Sequence, residues 1–416
     1  MSNREHIYEL IKVEITKQSN NINNTNFSYP LTEKTYNHEE VNAMVEVFLN
    51  DKLTMGENVS CFEKEFANYV GSKYAIMVNS GSSANLLAMA VLSNFKYTNR
   101  LNAGDKIIVP TVCWSTSVWP IIQMGLIPVF VDINQETLNA DIEQVEQLLR
   151  TDDKIKGMVV VHILGNCTNM TKLMELKQKY NLILMEDTCE SLGTTYNNKY
   201  LGTFGECGTY SFYFSHHITT IEGGMVVTDE EEIYELLKCL RAHGWTRGQK
   251  SHENICAVDN RFCFINIGYN LRPMESQAAM GRVQLKKLSS QNDNRKKNYD
   301  KIITKIKNSG SDKLICFEAQ PNSNCIWFAI PFILNAKYDK NQYLKTLEQH
   351  NIETRPIVTG NFTRQPVFKY INSGFNPASF INAEIIHEQG FFIGLPALEL
   401  SDEKIDTLVD LLIKYN

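Results

Sequence analysis

Nowhere in its 416 residues does this chain hold an apolar run that reaches the roughly 18 residues needed to span a bilayer. The opening Met1-Ser2-Asn3-Arg4-Glu5-His6 is charged, with no apolar stretch behind it. No secretory signal is therefore expected, and a cytoplasmic setting is. Charge of one sign is missing too. Against 47 Asp and Glu there are 41 Lys and Arg, a net −6, which leaves no electrostatic footprint for nucleic acid or an anionic membrane. None of the ten cysteines forms a C-x-x-C pair, the nearest two being Cys256 and Cys263. That scatter predicts reduced, mostly buried thiols and no structural metal. No internal repeat stands out. What is present, 43% hydrophobic and 21% charged residues, is an ordinary globular mix, long enough to bury a sizeable core.

Residues 1–27 are polar and Asn-rich and read as a loosely packed arm, part of it open to helix formation. From residue 28 the chain alternates short apolar runs with helical patterns. Strands are expected at Tyr74–Val78, Lys106–Pro110, Pro128–Asp132, Gly157–Leu164, Leu182–Asp187 and Met225–Thr228. Helices are expected at Ala84–Leu92, Asp141–Leu149 and Met170–Tyr180. Almost wholly apolar strands separated by helices imply a mixed, mostly parallel sheet covered on both faces. Two helices, Met274–Leu288 and Asn292–Lys307, lead out of this part. Beyond them a strand at Cys325–Leu334, a helix at Gln342–His350, an extended Ile352–Val358 and a final helix at Glu403–Lys414 read as something smaller. The expected organisation is a large α/β domain over 28–290 and a small C-terminal α+β domain over 291–416.

Three stretches look chemical. Asn79-Ser80-Gly81-Ser82-Ser83-Ala84-Asn85 joins a strand to an apolar helix. A Gly/Ser turn there offers free backbone N–H groups and hydroxyls to a phosphate, or serves only as a helix cap. Met185-Glu186-Asp187-Thr188-Cys189-Glu190 closes a very apolar strand, and the carboxyl end of a central strand is where open α/β sheets bind ligands. A buried Asp there would suit a protonated ring nitrogen or a metal; the plain alternative is a solvated strand end. The third stretch runs from Ser211 through His216-His217 to Glu222-Gly223-Gly224. Histidine is the side chain best matched to proton transfer near neutrality. Neighbours on a strand point to opposite faces, which argues against the pair as joint metal ligands.

Taken together, Ser-Gly-Ser-Ser-Ala-Asn, Glu-Asp-Thr-Cys-Glu and Ser-Phe-x-x-x-His-x-x-x-x-x-Glu-Gly-Gly resemble the pyridoxal-phosphate sugar aminotransferases of the DegT/StrS type, from about Tyr29 to the C-terminus. The resemblance implies an aspartate-aminotransferase-like, fold-type I architecture. It departs at one position: the family carries a lysine six residues before Glu-Gly-Gly, and this chain has His216. A lysine would hold the cofactor covalently, and a histidine cannot. The strings Ile108-Val109-Pro110-Thr111-Val112-Cys113-Trp114, Arg241-Ala242-His243-Gly244-Trp245-Thr246-Arg247, Gly268-Tyr269-Asn270-Leu271-Arg272-Pro273 and Arg355-Pro356-Ile357-Val358-Thr359-Gly360 narrow the likeness. They are similar to the branch that removes the C3 hydroxyl of GDP-4-keto-6-deoxy-D-mannose on the way to colitose, a 3,6-dideoxysugar of bacterial surface polysaccharide. A second branch with histidine in place of lysine uses an iron–sulfur centre on CDP-sugars. Its cysteines are missing here.

What the resemblance implies is specific. The cofactor is pyridoxal or pyridoxamine 5′-phosphate, and L-glutamate restores the amine. Gly81, Ser82 and Ser211 hold the phosphate, Asp187 pairs with the ring nitrogen, Trp114 stacks on the ring, and Glu190 lies near the ring hydroxyl. His216 is the catalytic base and acid, a task suited to a pKa near 7. Asn270 reaches over from a neighbouring subunit, which makes the protein a homodimer with shared active sites. His243, Arg247 and Arg355 are expected to contact sugar or amino donor, arginine because its fork fits a carboxylate. Two other readings stay open: a related enzyme acting on another nucleotide sugar, and a cofactor-binding sensor without turnover.

Overall fold

The computed structural model describes residues 2–20, 27–246, 259, 262–371 and 374–414. Three helices come first: α1 (Asn3–Asn20), α2 (His38–Leu49) and α3 (Glu57–Val70). The α/β alternation follows as β1 (Tyr74–Val78), α4 (Gly81–Leu92), β2 (Lys106–Pro110), α5 (Ser115–Gln123), β3 (Ile127–Val131), α6 (Ile142–Thr151), β4 (Ile155–Val161), α7 (Met170–Tyr180) and β5 (Ile183–Asp187). A short ribbon, β6 (Thr195–Tyr196) and β7 (Lys199–Tyr200), precedes β8 (Cys207–Ser211), β9 (Gly224–Thr228) and α8 (Glu231–Arg241). Side-chain caps start several helices where the sequence puts Ser, Asp or Asn: Ser80 before α4, Asp141 before α6, Asn169 before α7.

Among the described residues the main sheet has seven strands in the order β1-β9-β8-β5-β4-β2-β3. β3, β2, β4, β5 and β8 run parallel, while β9 lies antiparallel to both β8 and β1. The sheet is therefore mixed and mostly parallel, as the apolar runs predicted. Their burial on both faces explains why those runs show no alternation. Parallel β4, β5 and β8 end side by side, at Val161, Asp187 and Ser211. That edge carries the site.

The two helices expected at 274–288 and 292–307 are one, α9 (Glu275–Asn308). At 1.5 Å per residue its 34 residues span about 50 Å, and the boundary expected at 290/291 falls in its middle. No glycine or proline interrupts it there. The buried polar residues Gln291, Asn292 and Arg295 look like a break in sequence, but Asn292 and Arg295 are bonded to backbone carbonyls of the segments α9 crosses, at Leu192, Phe328 and Leu395. Beyond it come β10 (Leu314–Cys316), β11 (Ser323–Asn324), which pairs with β6, β12 (Ala329–Leu334), α10 (Lys340–Gln349), β13 (Thr354–Arg355), α11 (Ile381–Gln389), β14 (Gly390–Gly394) and α12 (Asp402–Lys414). Their antiparallel sheet has the order β10-β12-β14-β13. One apolar cluster runs without a break from Leu87, Val109 and Val159 to Trp327, Ile330 and Phe391. The mouth between the two sheets therefore rests on shared packing.

Two further expectations change. The N-terminal stretch is an 18-residue helix, not a loose arm. Tyr8, Ile11 and Ile15 form a half-buried stripe at helical spacing, and Arg4 and Tyr8 both bind Glu46 of α2. Eight described cysteines are free thiols as expected, but Cys263 is disulfide-bonded. A spacing that offers no metal knot says nothing about a single disulfide.

Candidate active site

At the carboxyl edge of β4, β5 and β8 lies a cavity of about 480 Å³ whose walls include Gly81, Trp114, Asp187, Glu190, Ser211 and His216. A second cavity of about 410 Å³ adjoins it, sharing His216, Phe328 and Arg355.

One end of the first cavity is built for an anion. Ser80 caps α4 by accepting from the Ser83 N–H at 3.1 Å, and the first helical N–H groups, those of Gly81 and Ser82, have no intrahelical acceptor. Glycine is required at 81 because a Cβ there would stand 2.5 Å from Cβ of Ser211 and 2.8 Å from its hydroxyl. Gly224, the last residue of Glu-Gly-Gly, is forced by the same crowding: its Cβ would lie 2.4 Å from the Ser80 carbonyl oxygen. The first and third motifs thus meet backbone to backbone.

Asp187 forms the floor, 5% exposed at the end of β5. Among the described residues no cation bonds its carboxylate. Asn85 Nδ2 (2.8 Å) and Ser117 Oγ (2.7 Å) donate to Oδ2, and the Cys189 N–H donates to Oδ1. Trp114 immediately precedes α5 and keeps an aromatic face 56% exposed at the wall. Glu190, whose Oε2 accepts from the Leu164 N–H at 2.8 Å, is pushed up to about 7 by burial. His162, also in the wall, points Nε2 at Glu186 (3.2 Å) and leaves Nδ1 buried without a partner. A helix N-terminus for a phosphate, a cation-free buried carboxylate for a protonated ring nitrogen and a bare indole for a ring face together fit pyridoxal phosphate.

His216 follows β8 in a turn. Its Nδ1 donates to the Cys189 carbonyl at 2.7 Å, so Nε2 carries the lone pair. Its ring centroid lies 5.2 Å from that of Phe328. Burial lowers its pKa to about 4, with buried Arg295 adding to the effect and Asp187 and the Cys189 carbonyl opposing it. The value near 7 expected from sequence is thus corrected: in this half-buried place beside Phe328 the imidazolium is disfavoured, and His216 is a neutral base at pH 7. A group with a lowered pKa binds its proton only below the folded value. The His216 ring resonances in the cofactor-free protein should therefore stay constant from pH 8 down to about 5.5, and NMR titration checks this. A midpoint near 6.5 would mean that water reaches the ring.

Among the described residues no lysine lines either cavity. Arg355 lines both, exposed and with no carboxylate bonded to it among the described residues. His217 is fully buried behind His216 and reaches neither cavity. Asn270 and His243 lie outside both cavities as well. They sit close together, Asn270 bridged to Ala242 and the His243 N–H donating to the Tyr269 carbonyl. Arg247 lies outside the described residues. Asn85, Ser117, Thr209 and His162 escaped the sequence reading. Asn85 had a visible signal, four residues after Gly81 and hence on the same helix face.

Residues 34–413 match the model of the DegT/DnrJ/EryC1/StrS aminotransferase family. The chain is 42% identical over 394 residues to the GDP-4-keto-6-deoxy-D-mannose 3-dehydratase of Escherichia coli O55:H7, covering 92% of this chain and 99% of that protein. It is 39% identical over 399 residues to the enzyme of the same name from Yersinia pseudotuberculosis, covering 93% and 98%. A crystal structure of GDP-4-keto-6-deoxymannose-3-dehydratase with a trapped PLP–glutamate geminal diamine superposes with a TM-score of 0.86 at 40% identity, over 92% of this chain and 100% of that one.

Proposed function

The chain belongs to the DegT/DnrJ/EryC1/StrS aminotransferase family, and we propose that within it the protein is a pyridoxal-phosphate-dependent 3-dehydratase, not an aminotransferase. Its substrate is GDP-4-keto-6-deoxy-D-mannose. The observation that carries this reading is His216: an imidazole faces the cavity where a covalently bound cofactor would need an amine, and no described lysine can substitute. In the net reaction the C3–O bond becomes C3–H. L-Glutamate supplies the two electrons as it is oxidised to 2-oxoglutarate, and its nitrogen leaves as ammonia.

When bound, the aminated cofactor supplies the amine that engages the C4 ketone and the electron sink that lets the C3–O bond break. The protein's residues do the rest. The N–H groups of Gly81 and Ser82 and the Ser211 hydroxyl hold the phosphate, Trp114 covers a ring face, and Asp187 meets the ring nitrogen. Glu190, partly protonated near pH 7, donates to the ring hydroxyl oxygen. His216 Nε2 takes the proton from the amine-bearing carbon and delivers it to the hydroxyl leaving C3, a transfer worth about 10²–10⁴-fold. Because its Nδ1 is held by the Cys189 carbonyl, the ring does not turn between taking and giving.

Arg355 is the proposed clamp for a glutamate carboxylate, bidentate and charge-assisted. Arg355→Met should raise the KM for glutamate about 10–100-fold, in line with one lost charged pair. Single-turnover dehydration by enzyme preloaded with pyridoxamine phosphate should slow far less. A loss confined to single-turnover dehydration, with the KM for glutamate unchanged, would place Arg355 on the sugar instead.

The reading includes a cytoplasmic homodimer feeding a dideoxysugar, colitose, into O-antigen lipopolysaccharide. Exposed Trp114, Tyr213 and Phe214 around the mouth support a second copy covering it, and Asn270 and His243, which line neither cavity of their own chain, would serve the partner's. Light scattering should return twice the 47.6 kDa chain mass. An active monomer would refute shared sites.

The test of the function is direct. Protein, pyridoxal phosphate, glutamate and the GDP-sugar should yield one ammonia and one 2-oxoglutarate per sugar deoxygenated at C3. An aminated sugar without free ammonia would mean amino transfer. Cofactor conversion by glutamate without any change in this sugar would point to another nucleotide sugar, and no conversion of the cofactor at all to a sensor.

A further inference from the structure

Two buried polar side chains converge on Asp187, and a third, Thr209, whose Oγ1 also lies 3.2 Å from the Glu186 carbonyl, backs one of them. Asn85 Nδ2 and Ser117 Oγ donate to the same carboxylate oxygen, at 2.8 and 2.7 Å, and Thr209 Oγ1 donates to Asn85 Oδ1 at 2.6 Å. Asn85 is 1% exposed, Ser117 2% and Thr209 0%. A carboxylate this deep, with no bonded cation among the described residues, is costly unless donors satisfy it. An amide can face its neighbour with either end. Nδ2 is the end that faces Asp187, because a flipped amide would set two oxygens against each other, and the Thr209 hydroxyl is placed to hold Oδ1 on the other side.

The placement ties these contacts to the rest of the cavity. Asn85 lies one turn beyond Gly81 on α4, so a single rigid helix carries the anion-binding end and the Asp187 donor about 6 Å apart along its axis. Ser117 sits in the first turn of α5, just after Trp114. Thr209 of β8 is the direct register partner of Asp187 of β5.

We infer that Asn85, held by Thr209 and assisted by Ser117, is a positioning residue that fixes the Asp187 carboxylate in one orientation for the protonated ring nitrogen of pyridoxal phosphate. The inference rests on the cofactor reading above.

Asn85→Leu removes the donor at similar volume, and Thr209→Val removes the hydroxyl that holds the amide. With cofactor labelled by ¹⁵N in the ring, the bound nitrogen resonance should move in both variants from the protonated toward the unprotonated position. The Kd for pyridoxal phosphate should rise about tenfold in Asn85→Leu, as for one lost bond to a charged group, and less in Thr209→Val. Turnover should fall at least as far as affinity while the KM for the GDP-sugar stays nearly constant. A merely structural role would leave the nitrogen resonance in place. If Asn85→Leu fails to fold by circular dichroism, Thr209→Val alone decides. A wild-type resonance and Kd in a folded variant overturn the inference. Failure of the wild-type protein to bind pyridoxal phosphate overturns the cofactor reading instead, and is seen before any variant is made.

Discussion

His216→Asn should slow C3 deoxygenation by about 10²–10⁴-fold, the range for a lost proton-transfer group. Asparagine is small enough for the turn and can still donate to the Cys189 carbonyl, which His216 binds at 2.7 Å, so the fold should hold. What it lacks is a basic nitrogen. Both half-reactions move a proton at the same cofactor carbon, so both should slow together, whereas affinity for pyridoxal phosphate, which the proposal assigns to Gly81, Ser82, Ser211 and Asp187, should change by less than about threefold, well under the 1.4 kcal/mol of a tenfold change. Rapid-quench mass analysis of the sugar and an absorbance titration of the cofactor read the two quantities separately. Retention of a tenth or more of the wild-type rate would remove His216 from the mechanism. The companion variant His216→Lys restores an amine at the position, and borohydride treatment should then leave a covalent cofactor mass that the wild-type chain never shows.

Asp187→Asn should cost about 10²–10³-fold in turnover, comparable to removing one preorganised electrostatic partner of a developing charge. The substitution keeps the shape of a side chain that is 5% exposed, so packing against Ser117 and Asn85 is preserved. The formal negative charge is lost, and with it the reason for the ring nitrogen to keep its proton. A neutral ring is a weaker electron sink, so C3–O cleavage should slow even where the cofactor still binds. The rise in melting temperature that saturating pyridoxal phosphate gives the wild-type protein should shrink in the variant, because ligand stabilisation follows RT ln(1 + [L]/Kd). Wild-type turnover with an undiminished thermal shift would mean that the ring nitrogen has another partner.

Much of this was legible without coordinates because it rests on local rules. Apolar runs too continuous for a half-exposed strand announced the buried parallel sheet, and Asp141 announced the helix start it caps. The three motifs were readable as strand ends and helix openings, and therefore as one edge of the sheet. The join at residue 290 was misread because the polar residues Gln291, Asn292 and Arg295 interrupt the apolar periodicity of α9. Arg295 Nη1 reaches the carbonyls of Leu395 (2.7 Å) and Phe328 (3.4 Å), residues far away in the chain. Periodicity cannot register bonds of that kind. The N-terminal helix was hidden in the same way, since Tyr8, Ile11 and Ile15 make a stripe only once α2 is there to cover it.

The sequence by itself determined the fold class and the edge of the sheet that carries the cavity, and it singled out the histidine proposed as base, because each depends on residue type and on spacing along a strand or a helix. Only the tertiary structure decided what state that base is in and what holds its neighbours. Burial and Arg295 bring His216 to about 4 where its intrinsic chemistry suggested 7. Asn85 and Thr209, 124 residues apart in the chain, become one network through the packing of α4 against β8. Dielectric surroundings and long-range hydrogen bonds are properties of what lies nearby in space, and no pattern along the chain encodes them.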